Sequence, residues 1–135
     1  MKTVEFTPDM ILGDEVVDKQ HRELVETVDG LYKKIAAGAG KKEIMDILNV
    51  IADHTVYHFK TEEKMFNEHN YPDKEVHKDI HDKFVAHAVD LIKTVDAKWP
   101  IAGLDELIEK EITLWLAGHI TGPDREAVEW LLQNA

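Results

Sequence analysis

The feature that most constrains the fold is a histidine and a glutamate four residues apart, His58 and Glu62, inside a helical stripe of apolar residues. Four residues advance an α-helix by about 400°, so both side chains point the same way, one turn apart. His77 and His81 repeat this spacing further along the chain. Polar groups on an apolar helix face cost free energy unless they are bound to something. The two pairs therefore predict helices that hold a metal between them.

Four amphipathic helices are predicted to account for most of the chain. Apolar residues recur at spacings of three and four over residues 15–37, 41–68, 74–96 and 104–120. No stretch alternates with period two for long enough to predict a strand. Short connections between helices of this length predict an all-α, up-down-up-down four-helix bundle. We expect one domain over residues 1–135, with an irregular N-terminal arm at 1–13 and a short C-terminal helical segment within 14–135.

Composition limits both the metal ligands and the partners. The sequence has no cysteine, so a metal must be held by histidine, aspartate and glutamate. These ligands suit iron, manganese, zinc or copper. A net charge of −11 argues against nucleic acid and anionic membranes as partners. No stretch is typical of a transmembrane helix or a signal peptide, so we expect a cytoplasmic protein without membrane insertion.

Several histidines fall on the inward-facing helix stripes. They are His21, His58, His77, His81 and His119. A single core histidine is more often a structural hydrogen-bonding group than a ligand. Five together need polar partners that an apolar bundle does not supply, whereas a metal satisfies one nitrogen of each. The set therefore favours a metal site in the bundle core.

Carboxylates must accompany these histidines to balance the charge of a metal. Glu62 follows from its spacing, and the other candidate is Asp124, five residues after His119. In a regular helix a step of five residues lands about 140° away, on the wrong face. We expect Gly122 and Pro123 to break the helix and swing the Asp124 carboxylate back toward the core. The alternative is that Asp124 caps the C-terminal helical segment.

The remaining histidines are interpreted as structural or solvated. His54 lies one turn before His58 on the same inward face. We expect a core histidine hydrogen-bonded to backbone or water, with a proton-relay role as the alternative. His69, in a turn, and His87, on the flank of the third helix, are expected to be solvated.

These residues resemble the ligand signature of the hemerythrins, in particular the single-domain bacterial hemerythrins. The resemblance covers essentially the whole chain and rests on the series His21, His58-x3-Glu62, His77-x3-His81 and His119-x4-Asp124. Flanking stretches match as well: Asp18-Lys19-Gln20-His21, His58-Phe59-Lys60-Thr61-Glu62-Glu63 and Trp115-Leu116-Ala117-Gly118-His119-Ile120. The arm departs from the family pattern, because Phe6 stands where the family often has tryptophan.

The resemblance implies two irons joined by an oxo or hydroxo bridge. Each iron would have its own imidazoles and both would share the carboxylates: His77, His81 and His119 on one iron, His21 and His58 on the other, and Glu62 and Asp124 bridging. The iron with fewer protein ligands, held by His21 and His58, would have one open coordination position. There O2 would bind as hydroperoxide beneath an apolar pocket. The matching pocket residues are Leu24, Phe59, Trp115, Leu116 and Ile120.

The function that the resemblance implies is reversible O2 binding for storage, buffering or delivery, without enzymatic turnover. The site has fewer carboxylates than the di-iron oxidase pattern and a single open position, and both features favour reversible binding over O–O cleavage. Two alternatives stay open: a di-iron peroxidase or oxidase, and an O2 or redox sensor that acts through a partner. We expect a monomer, with an O2-consuming enzyme as a candidate recipient.

Overall fold

The computed structural model describes residues 1–134, and these form four long helices and one short 3-10 turn, without a strand. α1 spans Glu15–Ala36, α2 spans Lys41–Glu68 and α3 spans Lys74–Lys98. The fourth helix, α4, runs through residues 104–134. They pack as an up-down-up-down bundle, with α2 against both α1 and α3, which confirms the predicted fold class. None of the described helices is long and apolar enough to cross a membrane.

α4 combines α-helical stretches with two wide turns of π-helix. The α-helical stretches are Leu104–Ile108, Leu114–His119 and Arg125–Asn134. The π-turns, Glu109–Thr113 and Ile120–Asp124, lie between them. Such turns are rare inside α-helices and are frequent at functional sites. The predicted C-terminal helical segment is present, as the last part of α4.

The helix break predicted at Gly122 and Pro123 was wrong. The Arg125 N–H donates to the Ile120 carbonyl, five residues back, and the backbone stays helical. In an α-helix a proline lacks one hydrogen bond and clashes with the carbonyl four residues before it, so the wider turn accommodates Pro123. A turn that closes between residues i and i+5 also brings those residues onto one face. Asp124 therefore faces the core because the helix widens.

The N-terminal arm is irregular, as predicted, and is held against the bundle by side chains. Val4 and Phe6 pack against the main apolar core. The Asp18 carboxylate accepts hydrogen bonds from the N–H of Leu12, at 2.8 Å, and from that of the glycine that follows, at 3.1 Å. The 3-10 turn at Pro8–Met10 is the regular part of the arm. These contacts fix where α1 begins.

The apolar core is divided into a large cluster and two smaller ones. Along α2, the large cluster ends at Ile51 and a small cluster begins at Phe66. His58 and Glu62 lie between these positions, and both are almost completely buried. Along α1, the other small cluster includes Val17, four residues before the first predicted ligand. The polar residues of the bundle therefore form a layer between two apolar regions, where little water can reach them.

Candidate metal centre

The structure brings all seven predicted ligands together inside the bundle. All of them are buried: His21, His58, Glu62, His77, His81, His119 and Asp124. α1 supplies one of these residues, and each of the other three helices supplies two. The spacing of four in α2 and α3, and the second π-turn in α4, place both residues of each helix on its inward face.

The ligand atoms form two overlapping groups, each with its members within 4.8 Å of one another. The larger group contains Glu62, His77, His81, His119 and Asp124. The smaller group contains His21, His58, Glu62 and Asp124. Both carboxylates thus belong to both groups. Two neighbouring ions that share two carboxylates would match this arrangement, and imidazole and carboxylate donors suit a transition metal.

Asp124 lies between the two groups, with one oxygen toward each. Its Oδ2 is 2.9 Å from the Nε2 of His21, and its Oδ1 is 2.9 Å from the Nε2 of His77 and 3.0 Å from that of His119. The side chain is completely buried and lies within a continuous helix. A capping role, which we considered from the sequence, requires a helix N-terminus, so the structure rules it out here.

Glu62 makes the corresponding contacts from the opposite helix. Its Oε1 is 3.2 Å from the Nε2 of His81, 3.5 Å from that of His58 and 3.7 Å from that of His77. These contacts join histidines of both groups, so a single carboxylate oxygen faces ligands from α2 and α3. Glu62 therefore lies at the second junction between the groups.

Close approach without hydrogen bonding shows that the cluster fits a metal. The Nε2 of His21 and the Oδ2 of Asp124 are 2.9 Å apart, yet neither atom has a hydrogen-bond partner among the described residues. The same holds for both Glu62 oxygens and for the Nε2 of His58 and His77. An unsatisfied buried polar group costs about 1–3 kcal/mol. Two metal ions, one in each group, would satisfy all of these atoms together.

The electrostatics differ between the histidines. Burial lowers the pKa of His58 to about 4, so this imidazole is neutral at pH 7 and its Nε2 is free to bind a metal. Burial also opposes charge on His77, but contacts with Asp124 and Glu62 outweigh it and raise the His77 pKa to about 9. Burial would likewise raise the pKa of Asp124, but the surrounding histidines, His119 foremost, hold it well below its usual value. A metal must displace the proton of His77, so metal binding should weaken as the pH falls.

Comparison with known families accounts for this arrangement. A family model described as "Hemerythrin HHE cation binding domain" matches residues 12–131, nearly the whole chain. This chain belongs to the hemerythrin family. The resemblance inferred from the ligand series is thereby confirmed, and the cation binding in the family description agrees with the buried cluster.

Individual hemerythrins are similar to this chain over most of its length. The bacteriohemerythrin of Stenotrophomonas maltophilia (strain R551-3) is 27% identical over 125 residues, which cover 93% of this chain and 79% of the relative. A hemerythrin-like protein of Naegleria gruberi is 31% identical over 113 residues, covering 84% and 81%. The bacteriohemerythrin of Methylococcus capsulatus (strain ATCC 33009 / NCIMB 11132 / Bath) is 32% identical over 108 residues, covering 80% of each chain.

Two residues not identified from the sequence orient two of the predicted ligand histidines of this hemerythrin. The Nδ1–H of His58 donates to the Oε1 of Gln20 at 2.7 Å, and that of His81 donates to the Oε2 of Glu63 at 3.0 Å. Each bond fixes the ring proton on Nδ1 and leaves the Nε2 lone pair facing the cluster. Gln20 is itself buried, and its amide donates to the Thr61 hydroxyl at 3.1 Å, which fixes the amide orientation.

Replacing Gln20 by leucine should weaken metal binding by about 10–100-fold, because His58 loses its acceptor while the apolar volume is kept. Gln20→Glu should retain the hydrogen bond and most of the affinity. Competition with a chelator of known affinity, under anaerobic conditions, measures the Fe(II) affinity of both variants. Gln133→Leu is the matched control, since Gln133 is exposed near the end of α4. Equal affinities of the Gln20→Leu and control variants would contradict the orienting role.

The remaining histidines lie outside the cluster. The Nε2 of His54 is 3.1 Å from the backbone carbonyl of Gln20, which confirms the predicted bond to backbone. His69 is exposed just after α2, as predicted. His87 is also exposed, but it pairs with Glu111 of α4, a partner that the sequence did not reveal.

Two of the predicted pocket residues contact imidazoles of the buried cluster. Phe59 stacks on His81 with ring centroids 3.7 Å apart, and Trp115 stacks on His119 at 4.4 Å. The other three lie in the large apolar cluster: Leu24, Leu116 and Ile120. The aromatic pair therefore covers one face of each of these imidazoles, whereas the position of all five residues relative to bound O2 stays a prediction.

Proposed function

We propose that this protein binds O2 reversibly at a centre of two iron ions, for storage, buffering or delivery. The main support is that five buried imidazoles and two carboxylates form two groups that share Glu62 and Asp124. Membership of the hemerythrin family and similarity to proteins named bacteriohemerythrin support the same conclusion. When bound, the iron pair supplies the electrons and the open coordination position that O2 binding requires.

The proposed ligand assignment follows the two groups. Each ion would have its own histidines and both would share the carboxylates: His77, His81 and His119 on one ion, His21 and His58 on the other, and Glu62 and Asp124 between them. A solvent-derived oxo or hydroxo group would complete the bridge. Since the second ion has one histidine fewer, we place the open position there.

The protein surroundings favour binding without turnover. Imidazoles outnumber carboxylates by five to two, so the site is less anionic than the carboxylate-rich pattern of the di-iron oxidases. A less anionic site stabilises the ferrous state. Phe59 and Trp115 stack on two of the imidazoles, His81 and His119, and cover one face of each ring. We therefore propose a carrier rather than an enzyme, working as a cytoplasmic monomer that passes O2 to an O2-consuming enzyme.

Replacing Leu24 by serine should speed the spontaneous loss of the O2-binding form, with the iron content unchanged. Leu24 is 2% exposed and lies one turn after His21, so a smaller polar side chain would admit water without removing a ligand. The decay of the visible spectrum of the oxygenated protein measures the rate. Leu114→Ser is the matched control, since the Leu114 side chain of α4 is 64% exposed and already in contact with water. A decay rate equal to that of the control would show that Leu24 does not protect the site.

The rival function is that of a di-iron oxidase or peroxidase, and continuous O2 consumption distinguishes it from an O2 carrier. An oxygen electrode follows the iron-loaded protein in air-saturated buffer with an excess of an electron donor. A carrier takes up O2 once, to the capacity of its sites, and then stops. Continued consumption that scales with the donor concentration would contradict the carrier function and support the enzyme.

A further inference from the structure

We propose that the cleft beside Trp115, between α3 and α4, binds small anionic electron donors such as reduced flavin mononucleotide, and that Trp115 passes their electrons to the metal centre. The cleft has a volume of about 340 Å³, a size usual for small-molecule sites. The need for a donor rests on the proposed O2 binding, because an iron pair that has lost electrons to O2 cannot bind O2 again until it is reduced. Binding of the donor can be tested without iron.

Aromatic rings of the cleft lead directly to the buried cluster. Phe84 and Trp115 line the cleft and stack on each other, with ring centroids 3.7 Å apart. Trp115 also stacks on His119, with ring centroids 4.4 Å apart and the two planes within 13° of parallel. Trp115 is half-buried and His119 is buried, so one indole connects the surface with a predicted ligand. Electron tunnelling weakens steeply with distance, and rings in contact therefore give a donor in the cleft a short path.

The charge of the cleft favours an anion. Lys83 and Lys110 line it, against a single carboxylate, that of Glu111, which is already paired with His87 of the same wall. Lys83 also approaches Asp79 at 2.8 Å, but both side chains are more than half exposed, and such surface pairs bind weakly. In a chain with a net charge of −11, this local excess of lysine attracts small anions that the rest of the surface repels.

A second cleft also reaches the cluster, but its charges balance. It has a volume of about 260 Å³ and touches His81. Two lysines and two carboxylates line it: Lys60, Lys78, Glu63 and Asp82. Lys78 donates to Asp82, and Glu63 accepts a hydrogen bond from His81. An anionic donor therefore fits the cleft beside Trp115 better.

Reduced flavin mononucleotide combines the properties that this cleft selects. Its phosphate can pair with the lysines, and its planar ring can pack against the aromatic lining. One molecule gives up two electrons, one at a time, and these are the electrons that two ferric ions need to become ferrous. The flavin returns to its oxidised form and releases its protons to solvent, and no bond to the protein forms.

The first test measures flavin binding without redox chemistry. Zn(II) occupies the same donor atoms as iron, and oxidised flavin mononucleotide keeps the ring and the phosphate. In NMR spectra of the Zn(II)-loaded protein, the flavin should shift the indole N–H signal of Trp115. The signal of Trp99, which follows α3 and packs against the large apolar cluster, should stay in place. Trp115→Phe assigns the signal. An unshifted Trp115 signal, or equal shifts of both, would overturn the site.

The second test compares two variants that lose the same charge. Reduced flavin mononucleotide should reduce the oxidised, iron-loaded Lys110→Gln variant about threefold more slowly than the wild type at subsaturating flavin. Lys64→Gln is the matched control, since the Lys64 side chain on α2 is 77% exposed and lies outside the cleft. Anaerobic stopped-flow spectra measure the rates. Reduced riboflavin, which lacks the phosphate, should reduce both variants at nearly the same rate. Equal rates of the two variants with the phosphorylated flavin would overturn the proposal.

The third test concerns the path through Trp115. Trp115→Leu should lower the maximal reduction rate at saturating flavin several-fold, whereas Trp115→Phe, which keeps an aromatic ring, should retain most of it. If Trp115 only covered the site, its loss would bring the flavin closer to the metals, and a faster reduction of Trp115→Leu would overturn the path.

These outcomes are independent of the proposed carrier function. A flavin-shifted Trp115 signal in a protein whose iron-loaded form binds no O2 would support the flavin site and refute the carrier. Reversible O2 binding by a protein whose Trp115 signal does not respond to flavin would refute the flavin site alone.

Discussion

Iron is expected to raise the melting temperature of this protein by on the order of 15 °C at a free concentration a thousand times the dissociation constant. Such an excess contributes about 4 kcal/mol of stability when the ligand binds the folded state alone. About 1 kcal/mol shifts the melting temperature of a chain of this size by roughly 4 °C. The physical reason is that several buried nitrogen and oxygen atoms of the cluster, among them both oxygens of Glu62 and of Asp124, have no hydrogen-bond partner within residues 1–134.

Thermal unfolding followed by circular dichroism, with and without a chelator, measures this shift. Zn(II) in place of Fe(II) is a useful control, because it occupies the same donors without redox chemistry. The chelated protein should keep its helices and lose near-ultraviolet signal, as tight packing around the empty donors relaxes. Identical melting curves with and without metal would mean that the buried cluster is not a metal centre.

Asp124→Asn is expected to remove at least one of the two metals while leaving the helices intact. Asparagine has nearly the same shape but no charge, and one of its two terminal atoms is an N–H donor that cannot ligate. In the native chain, both carboxylate oxygens lie within 3.0 Å of histidine nitrogens from three helices. Metal analysis of the purified variant, together with its melting temperature, gives the result.

Asp14→Asn is the matched control for this substitution. Asp14 caps α1 by accepting a hydrogen bond from the Val17 N–H, and asparagine caps a helix about as well as aspartate. The control should therefore keep its full metal content and its melting temperature. A normal metal content in Asp124→Asn would show that this carboxylate does not bridge, and the assignment of two ions would then have to change.

The helical bundle was predictable because each helix carries its own apolar stripe. The ends of α2 agree with the prediction, and those of α1 and α3 differ from it by at most two residues. The ends were predictable because glycines and prolines, which mark helix ends, lie just outside these helices. α4 was harder to predict, because periodicity arguments assume a constant 100° per residue. The π-turn at Ile120–Asp124 changes that angle locally. Pro123 indicated that the helix is irregular at this point. A proline can end, kink or widen a helix, however, and which of these happens depends on how the helix packs against its neighbours.

The ligands were predictable because seven polar residues at fixed spacings are hard to explain otherwise. Gln20 and Glu63 were not identified, although each stands beside a predicted ligand in the chain. Spacing alone cannot show which nitrogen of an imidazole needs an acceptor or from which helix that acceptor comes. The pairing of Gln20 in α1 with His58 in α2 is such a contact between helices. It depends on the distance and the rotation of two helices, which only the packed bundle defines.

The number of O2 molecules that bind reversibly per pair of irons is the most direct test of the proposed function. The iron-loaded, fully reduced protein is titrated with O2, the bound O2 is counted against iron, and the sample is then equilibrated with argon. We expect one O2 for every two irons, full release under argon and the same uptake in repeated cycles. Uptake that argon does not reverse, or no uptake by a protein with two irons per chain, would contradict reversible O2 binding at a di-iron centre.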